Sequence, residues 1–165
     1  MTPDLASRES GVFLWYTGNV RKILVIKLRA MGDTVLMTST LAELRRAYPR
    51  AEIHALARAP WPELLENHPA VDRIWSLHRP KERAARLKAI ARLGLQLRRE
   101  RFDTVINLHA SPSSSLLAFG TGARTRAIHF HGLRDRDRFS TVAIPDRGTI
   151  KPVLERDLDA LRALG

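Results

Sequence analysis

Lys22-Ile23-Leu24-Val25-Ile26-Lys27-Leu28 is a short apolar, β-branched run, and Arg29-Ala30-Met31-Gly32-Asp33 follows it directly. Buried parallel strands read this way, as near-continuous hydrophobic segments. The Arg29–Asp33 stretch then reads as a turn ending in an acid. Thr34 to Tyr48 carries Leu36, Met37, Thr40, Leu41, Leu44 and Ala47 at helical spacing, and Pro49 stops the pattern. The segment is therefore strand, turn, helix.

The same alternation continues along the chain. Strands are expected at Ala51–Ala57, Val71–Leu77, Asp103–Leu108 and Thr125–Phe130, with a weaker sixth at Ser140–Ile144. Helices are expected at Pro60–Asn67, Lys81–Arg99, Ser111–Phe119 and Pro152–Leu164. In the long one, Ala84, Leu87, Ile90, Leu93, Gly94 and Leu97 form an apolar face, and Lys81, Lys88, Arg92 and Arg99 lie opposite. Residues 1–19 lack such a pattern and read as a loose N-terminal extension, leaving 20–165 as the folded unit. Strands alternating with helices imply an α/β fold, a single Rossmann-like domain with a mainly parallel sheet. Ligands of such sheets bind at the carboxyl ends of the strands. That rim would carry Arg29 to Asp33, Arg58 to Trp61, His109 to Ser115 and His129 to Gly132.

Composition narrows the chemistry. A chain of 165 residues suits one domain with its own core. With no cysteine there is no disulfide framework, thiolate metal site or cysteine nucleophile. Lys and Arg total 28 against 17 Asp and Glu, a net charge of +11. Of the basic residues 23 are Arg, whose forks match phosphate and carboxylate groups. Genome composition also produces arginine bias, so the charge alone does not name a partner. No apolar run reaches the ~20 residues of a membrane helix, and Val12–Tyr16 is too short for a signal-peptide core. A cytoplasmic protein is expected.

Each motif has two readings. Asp33 can cap the helix by accepting a backbone N–H, or it can take a proton from a sugar hydroxyl as general base. Gly32 lets a ligand approach the backbone closely. Neither Gly-x-Gly-x-x-Gly nor a phosphate-loop Lys-Ser/Thr is present. Ser111, Ser113, Ser114 and Ser115 stand at a strand-to-helix junction, as caps or as an anion site. There is no Gly-x-Ser-x-Gly elbow. His109, His129 and His131 could gather at a metal, but no carboxylate stands at motif spacing. Residues 79–101 hold nine basic and two acidic residues, a solvated face or a patch that steers an anionic ligand. The interleaved aromatics of single-strand nucleic-acid binders are missing. Arg29, Met31, Gly32, Arg58, Ser111, Ser113, Lys81 and Lys88 are the candidate substrate-binding residues.

The stretch from Lys22 to Pro49 resembles the start of the bacterial ADP-heptose:lipopolysaccharide heptosyltransferases, glycosyltransferase family 9. Glu63–Asp72, Leu97–His109, Ser113–Arg126 and Leu154–Gly165 resemble further segments of that family, in order. Asn107 and His109 depart from it, standing where the family often has Asp and Gln. The resemblance implies the amino-terminal, acceptor-side half of a GT-B glycosyltransferase, with the donor-binding domain absent. It implies inverting, metal-independent transfer of a heptose from ADP-heptose, with Asp33 as catalytic base and no cofactor. The expected acceptor is an anionic glycolipid, the lipopolysaccharide inner core, and peripheral contact with the inner face of the inner membrane is expected with it. The chain would be a fragment, or would work with a separate donor-domain chain. The competing expectations are a catalytically inactive binding domain of the same fold and, less favoured by the residues, a basic nucleic-acid-binding domain.

Overall fold

The computed structural model describes residues 20–109, 111–129, 138–144 and 152–164. The loose extension expected at 1–19, together with Phe130 and His131, lies outside the described residues. Five strands form one sheet: β1 (Lys22–Lys27), β2 (Glu52–Arg58), β3 (Arg73–Leu77), β4 (Thr104–Asn107) and β5 (Thr125–Ile128). Their order is β3-β2-β1-β4-β5 and every pairing is parallel. β1 is central, with Val25 in register with Ala55 on one side and Ile106 on the other. Four helices cover the sheet: α1 (Met31–Ala47), α2 (Arg83–Arg99), α3 (Pro112–Gly120) and α4 (Val153–Arg162). The segment expected as a helix at 60–67 is a 3-10 turn, Trp61–Leu65, anchored by buried Leu65.

The alternation of side chains along β1 builds two cores. Ile23 and Val25 join Met37, Leu41 and Leu44 of α1 and Ala160 and Leu161 of α4. Leu24 and Ile26, on the other face, join Leu93 and Leu97 of α2 and Leu117 and Ala118 of α3. A strand covered on both sides has no room for the polar alternation of a half-exposed one, which is why its sequence is apolar throughout.

Lys27 continues the Ile23–Val25 series into the first core. It is buried, and its Nζ meets the Asp157 carboxylate of α4, itself buried. Burial pushes the Asp157 carboxyl up, while Lys27 pulls it down. Among the described residues Asp157 Oδ1 has no hydrogen-bond partner. The pair therefore pins α4 to the end of β1 at a desolvation cost.

Three further expectations need correction. The expected sixth strand, Ser140–Ile144, is a single parallel bridge between Val142 and Ala127. Helix α1 begins three residues before Thr34, because extended Ala30 already serves as its N-cap. Ala84 and Leu87 do not join the buried face of α2; both are exposed. At ~100° per residue, Leu87 stands about 100° around the helix from the Leu93–Leu97 midline, beyond what the sheet covers.

Removing one partner of the Lys27–Asp157 pair leaves a lone buried charge. Asp157→Leu is expected to cost about 3–5 kcal/mol in denaturant unfolding. The double variant Lys27→Met/Asp157→Leu is expected to recover most of that loss. A double variant as unstable as the single one would show that the charges themselves are not the cause.

Candidate functional site

Parallel strands bring all their following loops to one rim. β1 ends there in exposed Arg29 and Ala30, and α1 starts at Met31. Ala30 has no side-chain oxygen with which to cap the helix. Asp33, three residues on, supplies one half of a capping box: its Oδ2 accepts the Ala30 N–H at 3.3 Å. Asp33 therefore stands at the third helical position, inside the first turn, where a negative charge also suits the helix dipole. No other side-chain hydrogen bond engages its half-buried carboxylate among the described residues. Beside it, a Cβ on Gly32 would meet nothing within 4 Å. Among the described residues no packing demands glycine there.

β4 and α3 build the next part of the rim. Asn107 is buried, donates from Nδ2 to Ser114 Oγ at 3.1 Å, and accepts the His109 N–H on Oδ1 at 3.0 Å. Ser111 is the N-cap of α3, its Oγ accepting the Ser114 N–H at 3.2 Å. Ser114 Oγ also donates to the His109 carbonyl. Asn107, Ser111 and Ser114 thus hold the turn from strand to helix.

The turn presents His109 and Ser113 to a narrow cleft whose polar lining also includes Arg58, His78, Arg79 and Arg86. Leu28, Leu77 and Ile90 form its apolar part. Burial holds the His109 imidazole below the usual histidine range, and the Arg29 charge adds to the shift. Arg79 and Lys27 push the same way, while Asp33 pulls against them. His109, Arg29 and Asp33 therefore share one electrostatic neighbourhood, dominated by guanidinium groups.

The candidate residues are distributed unevenly. Arg58 and Ser113 meet in the cleft, and Arg29, Met31, Gly32 and Asp33 form the adjoining start of α1. Ser111 serves as the cap. Lys88 lines a separate groove of about 340 Å³ between β3 and α2, beside Arg92. Lys81 is exposed ahead of α2 and lines neither. Arg79, Arg86 and His78 reach the cleft without any local motif to announce them. Among the described residues no group of three or more His, Cys, Asp or Glu could hold a metal ion; His131 lies outside them. Nor is any described helix long and apolar enough to cross a membrane.

The arrangement combines one weakly engaged carboxylate, an open space at glycine and a set of guanidinium groups. It can accept a proton beside an anionic ligand. The fold around it is one α/β domain with an all-parallel sheet, and its solved neighbours are glycosyltransferases. The chain matches the family 9 glycosyl transferase from Veillonella parvula with a TM-score of 0.73 and 24% identity, over 88% of this chain and 41% of that one. It matches the E. coli ADP-heptose lps heptosyltransferase II with a TM-score of 0.54 and 30% identity, over 64% of this chain and 29% of that one. For the E. coli heptosyltransferase WaaC with ADP, the TM-score is 0.65 and the identity 17%, over 87% of this chain and 47% of that one. The chain spans less than half the length of each. No protein-family model and no curated protein sequence matches it.

The direction of the His109 shift has a measurable consequence. A histidine whose folded pKa lies below its unfolded value contributes stability that is complete above about pH 6.5 and lost as pH falls below it. His54, buried between β1 and β3, is held down by burial as well and adds to the same loss. Followed by NMR, His109 is expected to titrate below 6.5. Arg29→Gln should move that midpoint upward while His54 stays in place. An unmoved His109 would remove Arg29 from its surroundings.

Proposed function

We propose that this chain is the acceptor-side half of a heptosyltransferase-like glycosyltransferase of family 9. The observation that carries the reading is Asp33: a weakly engaged carboxylate in the first turn of α1, at the rim of the central strand, beside open space and a cluster of arginines. The fold shared with solved heptosyltransferases supports it, and so does the ordered resemblance along the sequence.

In this reading an anionic glycolipid, the lipopolysaccharide inner core, is the acceptor. Arg29, Arg58, Arg79 and Arg86 attract its phosphate and carboxylate groups, since guanidinium forks match both. The Asp33 carboxylate takes the proton of the attacking hydroxyl as that oxygen bonds to the anomeric carbon of ADP-heptose. The bond from the anomeric carbon to the diphosphate breaks in the same displacement, ADP leaves, and the configuration inverts. The donor is held by a second domain, in the same chain or a separate one. Positioning of donor against acceptor is worth ~7–11 kcal/mol of a bimolecular barrier. Residues 1–165 alone are accordingly expected to transfer no sugar.

The test uses the domain completed with a family donor domain, fused or added in trans. Asp33→Asn can still accept the Ala30 N–H, so unfolding should be nearly unchanged, while transfer falls ~10²–10⁴-fold. Full activity of Asp33→Asn would leave Asp33 with only its capping role.

A second variant probes the open space. Gly32→Ala meets no atom of the described residues within 4 Å and restricts the unfolded state, so it should be neutral or stabilise by up to ~1 kcal/mol. If a ligand occupies that space, acceptor KM should rise in the completed enzyme. An unchanged KM would mean that no ligand approaches Gly32.

A further inference from the structure

Three arginines line one cavity at the end of the sheet opposite the rim. Arg98 stands in the last turn of α2, Arg101 shortly before β4 and Arg124 immediately before β5. The cavity they share measures about 430 Å³. All three are exposed, and none forms an ion pair among the described residues. The one carboxylate in the lining, Asp103, already accepts the N–H groups of Arg21 and Lys22 on Oδ2, both at 2.9 Å. Nearby Glu100 is engaged by Lys22 and Arg73. The carboxyl end of a helix attracts cations, which accounts for Arg98. It does not account for Arg124, beyond α3 at the start of β5. Arg101 has a φ of 56°, in the left-handed position after a helix that glycine usually fills. An arginine there carries backbone strain that glycine would avoid. Gly122, at φ 73°, meets the same demand in the next turn, and a Cβ on it would lie 3.4 Å from Arg98 Nη1.

We propose that this cavity binds the phosphate monoester of a small soluble molecule. Three guanidiniums against one carboxylate leave an excess positive charge that a phosphate dianion neutralises, and guanidinium forks match its oxygens. The phosphodiester of a nucleic acid carries a single charge per linkage. The ring in the lining, Phe102, is buried and met edge-on by His54, so it offers no face to a base. The inference does not rest on the glycosyltransferase reading, because it uses neither Asp33 nor the rim cleft. Its test measures binding, not transfer, so either can fail alone.

The experiment is a titration of the whole chain with inorganic phosphate and with glycerol 3-phosphate, at constant ionic strength and near neutral pH. Arginine Nε–Hε signals are followed by NMR, and those of Arg29 and Arg58 report the rim separately. Saturable shifts are expected at Arg98, Arg101 and Arg124. Arg124→Gln should weaken binding about tenfold. Arg101→Gly should weaken it about as much while the melting temperature holds or rises, since glycine suits the left-handed turn. Arg99→Gln, exposed in the same helical turn but outside the cavity, should leave binding nearly unchanged. Absence of a saturable response at the three arginines overturns the proposal. So does a folded Arg101→Gly or Arg124→Gln that binds as tightly as wild type, or an Arg99→Gln that weakens binding equally. Binding to vesicles containing phosphatidic acid without binding to either soluble phosphate overturns it as well.

Discussion

Lys27 occupies a position where the geometry of a strand leaves it no route to water. Side chains alternate along β1, so Ile23, Val25 and Lys27 share one face, and that face is covered by α1 and α4. A lone buried ammonium would cost several kcal/mol, and Asp157 of α4 answers it. The contact joins the end of β1 to α4, beside the apolar packing of Ala160 and Leu161. It also lies within electrostatic reach of the rim: Lys27 acts on His109, and Asp33 acts on Asp157.

The rim follows from the sheet. With β1 central and every strand parallel, the loops after β1, β2, β3 and β4 open on the same side. The strand order reverses between β1 and β4, which separates the loops leading to α1 and α3. Hydrogen bonds within these turns are made by Asp33 to Ala30, and by Asn107, Ser111 and Ser114 among themselves. The arginines are left free of that work. Arg29 and Arg58, which two cores exclude from the interior, stand exposed where the strands run out.

The positive charge of the chain is thus divided among places with different neighbours. At the rim, arginines stand with a carboxylate, a histidine and a serine, a polar setting suited to a specific anionic group. On the outer side of α2, cations stand with exposed leucines. Only the second sets its cations beside large exposed leucines.

The sequence by itself determined the alternation of strands and helices, the character of Lys22–Leu28 as a buried parallel strand and the rim on which Asp33 stands. Local patterning carries that information, since apolar runs and helical spacing are set by neighbours along the chain. Ser111 was equally legible as a cap, because capping joins residues only three apart. The start of α1 was misread because the only local cue, Asp33, supports a helix from within its first turn as well as from its cap. Tertiary structure alone decided the partnership of Lys27 with Asp157, separated by 130 residues. It alone brought Arg79 and Arg86 to Arg58 and His109, and separated Lys88 from them. It also turned Leu87 outward: the apolar stripe of α2 is wider than the sheet beneath it, and only packing determines where coverage ends.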